Sequence, residues 1–234
     1  MATLMVAMLF CLNVWCKGKF TLYLHHYVKD KIVQFDTLNY MNELGQSYII
    51  TKFKYYIGNI SFISKNGINT ISKDYFLINE EDSQSKILNF NNIPAGSYTG
   101  IQFTLGVDSI DNCSGAQSGA LDPANGMFWA WNTGYIFLKL EGKSPHSSST
   151  GNMLEYHIGG YKSPYNCIRQ IRLNFNLQSD FKEDKEIHLK VDIAEILKNK
   201  QVIDFSKISS VTDFHNATLI ADNYVDMFSV LSIK

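Results

Sequence analysis

Tyr48-Ile-Ile-Thr-Lys-Phe-Lys-Tyr-Tyr-Ile-Gly-Asn-Ile-Ser-Phe-Ile63 decides the fold class. Aromatic and β-branched side chains dominate it, and apolar and polar residues alternate over short runs, the period-two pattern of a half-buried strand. Gly58-Asn59 gives this long run a place to bend. The same pattern recurs on both sides and predicts strands at Phe20–Tyr27, Lys31–Phe35, Tyr75–Ile78, Ser85–Phe90, Ser97–Leu105, Tyr135–Leu140, Met153–Ile158, Ile168–Leu177 and Glu186–Ile193. Turn chemistry separates the runs at Lys65-Asn66-Gly67, Pro94-Ala95-Gly96, Asp122-Pro-Ala-Asn-Gly126 and Gly159-Gly160. Helical periodicity is weak, with candidates only at Ala194–Asn199 and within His215–Phe228. Many short strands with closely spaced turns predict an all-β chain, an antiparallel β-sandwich or open barrel with long loops and one or two short helices.

Composition agrees with that expectation. With 45% hydrophobic and only 18% charged residues, the chain can fill a sizeable core and carries too little charge for disorder. A net charge of -1 and the lack of any Lys/Arg cluster argue against nucleic acid or an anionic membrane as partner. No internal repeat and no Pro/Gly/Ser linker divides the chain, so residues 19–234 are expected to form a single domain. The run from Met1 to Cys16 holds no charged residue and is too short to span a membrane. It reads as the apolar region of a signal peptide, which makes residues 1–18 a leader and the mature protein periplasmic, cell-surface or secreted, with no membrane span; a buried first strand is the other reading. With the leader removed, Cys113 and Cys167 remain, each in a polar segment. They are expected to pair as a disulfide in an oxidising compartment, the alternative being two unpaired thiols in a reducing one.

The familiar enzyme signatures are missing: no Gly-x-Ser-x-Gly elbow, P-loop, dinucleotide glycine fingerprint or His-Glu-x-x-His occurs. Glu80-Glu81-Asp82 reads as a solvated loop, and no paired acid/base site stands out. An enzyme is therefore not expected. The most unusual stretch is Ser118-Gly-Ala-Leu-Asp-Pro-Ala-Asn-Gly-Met-Phe-Trp-Ala-Trp-Asn-Thr-Gly-Tyr135. Met127, Trp129 and Trp131 share one face if its backbone is extended. They form either an aromatic core cluster or a soft-metal or aromatic ligand site. In Phe20-Thr-Leu-Tyr-Leu-His-His-Tyr27 alternation sets Phe20, Leu22, Leu24 and His26 on one face, expected to be the inner one, where a histidine needs a hydrogen-bond partner or a metal. His157 ends a strand whose Gly159-Gly160 lets another chain or a ligand approach closely; a bond to a turn carbonyl is the plainer alternative. His146, His188 and His215 receive no role.

The segments Gly106-Val-Asp-Ser109, Ser114-Gly-Ala-Gln-Ser-Gly-Ala-Leu-Asp-Pro123, Met127-Phe-Trp-Ala-Trp-Asn-Thr-Gly-Tyr135 and Leu140-Glu-Gly142 resemble the MbnP-like family of copper-binding proteins. Lys52-Phe-Lys-Tyr-Tyr-Ile-Gly-Asn-Ile-Ser61 is similar to that family's early strand, Ile93-Pro-Ala-Gly-Ser-Tyr98 to its turn and Tyr156-His-Ile-Gly-Gly-Tyr161 to its histidine strand. The likeness runs through residues 20 to 175 in the family's order. It implies an exported copper-binding protein that holds Cu(I) or Cu(II) through histidines and an oxidised tryptophan. By matched position the implied ligands are His26 or the adjacent His25, His157, and Trp129 or Trp131, and the implied partner is a dihaem protein that oxidises the tryptophan. Neutral imidazoles are good copper donors, and opening an indole creates an aniline nitrogen and a carbonyl that intact tryptophan lacks.

Two readings of function follow. One is copper binding for uptake, storage or delivery outside the cytoplasm, which requires His26 and His157 to be close. The other is a metal-free β-sandwich module that recognises glycan or peptide through Trp129, Trp131 and nearby tyrosines, which requires those rings to be exposed on a groove. A copper oxidase is a third and weaker reading, since nothing supplies a second metal site or a substrate pocket.

Overall fold

The structure is a computed structural model that describes residues 17–37, 39–129, 134–179 and 183–234. The expected leader up to residue 16 and Trp131 lie outside the described residues. In chain order the strands are β1 (Lys17–Val28), β2 (Lys31–Ile32), β3 (Tyr40–Met41), β4 (Ser47–Ser64), β5 (Gly67–Asn79), β6 (Ile87–Pro94), β7 (Gly96–Leu105), β8 (Phe128–Trp129), β9 (Gly134–Lys143), β10 (Met153–Gly159), β11 (Arg169–Ser179), β12 (Lys185–Asp192), β13 (Ser210–Val211) and β14 (Phe228–Ile233). Two α-helices, α1 (Ser109–Cys113) and α2 (Phe214–Asn223), join them. The all-β expectation holds.

The strands form two curled sheets that pack face to face. The smaller runs β14-β12-β1-β2, with β6 also on β1; the larger runs β11-β7-β4-β9-β10-β13, with β3 and β5 on β4 and β8 on β9. β4 is the hub: its first half pairs β9 and its second half pairs β7 and β5. The expected bend is there. Asn59 takes φ 51° and the β5 register slips between Gly58 and Ile60, so one long strand can serve both curved halves. Alternation along β1 turns Phe20, Leu22, Leu24, His26 and Val28 inward and buries all five. They meet the inner face of β4, with Phe20 5.0 Å from Phe62 and His26 5.1 Å from Phe53 between ring centroids. Each such buried Phe contributes roughly 1.5–3 kcal/mol of burial free energy.

The structure departs from expectation in several places. Two pairings are parallel, β1 with β12 and β10 with β13, so the sheets are mixed. The expected strand over Lys31–Phe35 keeps only Lys31–Ile32, and that over Ser85–Phe90 begins at Ile87 after a 3-10 turn over Ser83–Lys86. β5 extends back to Gly67, through an exposed edge whose polar residues hide the alternation. β14 was not expected. The Ala194–Asn199 helix is a 3-10 segment at Ile193–Leu197, and the later helical candidate resolves into α2 and a 3-10 turn over Tyr224–Met227.

Candidate metal centre

β1 delivers His26 to the interior at 3% exposure. Its Nδ1 lies 2.5 Å from Glu80 Oε2 and its Nε2 3.0 Å from Tyr55 Oη. Burial, the largest cause, holds His26 below its ordinary proton affinity, although the Glu80 carboxylate opposes the shift. Burial would raise the Glu80 carboxyl in turn, but its bonds from His26 and Lys86 Nζ, the latter 2.8 Å away, hold it below the usual range. The consistent state is a neutral His26 that donates Nδ1–H to an ionised Glu80 and accepts the Tyr55 hydroxyl proton at Nε2. Both ring nitrogens are then committed to the protein. The reading of Glu80 as part of a solvated loop is corrected: it is the half-buried partner of the core histidine.

His157 lies on the opposite side of the larger sheet. Phe53, Leu140 and Tyr156 stand in register across β4, β9 and β10, and Phe53 touches His26, so this row faces the core. The next row, Lys54, Lys139 and His157, faces outward. His157 Nε2 lies 2.9 Å from Glu141 Oε1, and the other Glu141 oxygen lies 3.2 Å from Lys52 Nζ. The His157 bond is the main reason the Glu141 carboxyl falls to about 2, with Lys52 adding to it and burial opposing. Two residues along β10, past a register slip between Ile158 and Gly159, the six-membered ring of Trp129 covers Gly159: a Cβ there would stand 2.7 Å from Trp129 Cζ3 and 2.5 Å from the Tyr135 carbonyl. The close approach expected at the Gly159-Gly160 pair is made by Trp129. Carbonyl groups of the segment before β8 cap this face, Ala120 O accepting from Tyr56 Oη and Gly126 O from Lys139 Nζ. Trp129 and Met127 are buried.

His25, one residue from His26, faces out on the smaller sheet and meets His188 of β12 at 2.9 Å. A sequence model of the MbnP family matches residues 17–214. The chain belongs to the MbnP family. Among solved structures, MbnP from Methylosinus trichosporium aligns with a TM-score of 0.50 and 13% identity over 78% of each chain, a likeness of fold. No curated protein matches the sequence.

In this MbnP-family chain the expected copper donors are divided. His26 belongs to the core, His157 to the outer face of the larger sheet beside Glu141, Trp129 to the buried packing over Gly159, and His25 to the outer face of the smaller sheet. His26 and His157 therefore do not converge, because the period-two geometry of β4 and β10 places them on opposite sides of one sheet. Among the described residues, no three His, Cys, Asp or Glu side chains come together as a metal site. The full donor set implied by the resemblance does not fit this arrangement; of its members, His157 keeps an outward place and a carboxylate partner.

The expected Cys113–Cys167 bridge is not formed, and both thiols are free. Cys113 ends the exposed helix α1, its sulfur 3.3 Å from Tyr161 Oη. Cys167 is buried beside Thr218 of α2, its amide bonded to Gly160 O, and burial pushes its thiol up to about 11. The residues that sequence reasoning missed, Glu80, Glu141, His188 and Glu186, are polar side chains, each with a partner that strand pairing brings from another part of the chain.

Proposed function

We propose that this MbnP-family protein is an exported copper-binding protein that takes up, stores or delivers copper as cargo and transforms no substrate. Family membership supports a copper-associated role in general. The observation that carries the finer reading is that His157 faces outward near the end of β10 with its Nε2 on Glu141, two residues before the Gly159 that the Trp129 ring covers. A carboxylate only accepts hydrogen bonds, so an ionised Glu141 fixes Nε2–H on His157 and leaves the lone pair on Nδ1. This is the carboxylate–histidine arrangement that orients a metal-binding imidazole. Oxidative opening of Trp129 or Trp131 by a dihaem partner would add nitrogen and oxygen donors that an indole lacks.

The test is intact-mass and peptide mass spectrometry of protein from its native host, with copper measured on the same sample. A Trp129/Trp131 peptide that has gained oxygen and lost carbon, with near-stoichiometric copper that His157→Ala abolishes, supports the reading. Unmodified tryptophans and no copper uptake, even after copper is added, sink it.

One observation favours the second reading, a metal-free module for glycan or peptide. A pocket of about 300 Å³ is lined by Trp129, Tyr135, Tyr161, Lys162, Tyr165 and Phe214, and its Tyr165 and Phe214 rings are exposed. Stacking surfaces beside one ammonium group suit a sugar or an aromatic peptide side chain.

A further inference from the structure

The outer face of the smaller sheet carries a histidine pair: His25, which the resemblance offers only as an alternative to His26, and His188, which has no role in either reading. The parallel register of β1 and β12 sets Tyr23 beside His188 and Thr21 beside Glu186. The Tyr23 and His188 rings stack at 4.6 Å between centroids and 6° between planes. His188 Nε2 lies 3.2 Å from Glu186 Oε2, and the other Glu186 oxygen accepts from Tyr23 Oη at 3.4 Å. As an acceptor, the Glu186 carboxylate fixes the proton on His188 Nε2 and turns a lone pair on Nδ1 towards His25. His25 Nε2 is 2.9 Å from that Nδ1, while the ring centroids are 5.2 Å apart and the planes differ by 15°. The difference between these distances is what two imidazole radii span. The facing nitrogens therefore lie on the line joining the rings, and the two nitrogen axes are directed at each other.

We propose that His25 and His188 form a two-coordinate, in-line site for a monovalent copper ion, positioned by Glu186. This site is separate from the one proposed at His157. Copper bonds of roughly 2.0 Å to each imidazole place in-line nitrogens about 4 Å apart, so the ion enters when the exposed His25 side chain swings out by about 1 Å. The proton now between the rings moves to His25 Nδ1, so one Cu(I) enters and no net proton leaves. Glu186 supplies the compensating negative charge.

The experiment titrates the full chain anaerobically with Cu(I) held by bicinchoninate, alongside His188→Ala, His25→Ala, Glu186→Gln and His157→Ala, with thermal melts to confirm folding. The expected result is that His188→Ala and His25→Ala each lose one equivalent, its affinity falling by at least about 100-fold, that Glu186→Gln weakens it about 10-fold, and that His157→Ala keeps it. Unchanged stoichiometry and affinity in folded His188→Ala overturns the proposal, as does wild-type protein that takes no Cu(I) from the chelator. Copper lost only in His157→Ala overturns it too, while leaving the His157 reading intact.

Discussion

Of the three histidines bonded to carboxylates among the described residues, His26 and His157 have surroundings that give them opposite uses. His26 sits between the sheets with Glu80 on one nitrogen and Tyr55 on the other. His157 sits on the outside of the larger sheet with Glu141 on one nitrogen, Lys139 across the ladder and Lys52 on the other Glu141 oxygen. A ring with both nitrogens committed fixes the fold; a ring with one committed and one lone pair left can also bind. The comparison teaches that the buried histidine, which sequence reading places first among inward candidates, is the structural one.

Truncation tests this most strongly. His26→Ala would open a cavity, strand Tyr55 Oη and leave Glu80 with Lys86 alone, a loss of about 3–5 kcal/mol by urea denaturation. His157→Ala removes a partly exposed pair and should cost within about 1 kcal/mol. Similar losses at the two sites would break the comparison. Next in size is Gly159→Ala. Its Cβ would press on the Tyr135 carbonyl and the Trp129 ring, one a backbone atom and the other a rigid plane, so about 2–3 kcal/mol should be lost and Trp129 fluorescence should shift. An unperturbed emission spectrum would mean that Trp129 does not rest on β10.

Much of the fold was legible in single strands. Alternation alone placed His26 inward and His25 outward, and Gly58-Asn59 marked the bend in β4. What was not legible depends on which strands meet. Nothing in Glu186-Ile-His188 announces that β12 lies parallel to β1, so the meeting of His25 with a residue 163 positions away could not be read. The same limit hid Glu80, whose acidic neighbours look solvated until β5 carries it to His26. It also separated His26 from His157, since periodicity assigns a face to each strand but does not say which sides of the two sheets coincide. β14 and the first half of β5 were missed because one is short and the other carries too few buried residues to set a pattern.

A smaller effect should appear with pH. His26 and, on the surface, His25 are held below the ordinary 6.5, so the unfolded chain takes up protons that the folded one does not. Stability is then full above pH 6.5 and declines as pH falls below it. Urea midpoints measured from pH 7.5 to 5 should show this decline. It should persist in His25→Ala and flatten in His26→Gln, and a slope unchanged in His26→Gln would assign it to other groups.

The smallest effect belongs to the outer pair and bears most on its use. Glu141 has its carboxyl pulled from 4.5 to about 2, chiefly by the bond from His157. A depressed carboxyl stabilises the fold above its unfolded value and loses that contribution as pH falls from about 4.5 towards 2. Solvent screening at this partly exposed site keeps the contribution below about 1 kcal/mol. The titration itself is the better observable. Followed by carboxyl carbon NMR, Glu141 should titrate near 2 in the wild type and move upward in His157→Ala, with Lys52 alone holding what remains of the shift. If it stays near 2 without His157, Lys52 sets the charge and the carboxylate does not orient the imidazole. A copper ion at His157 would then meet an imidazole that no carboxylate orients.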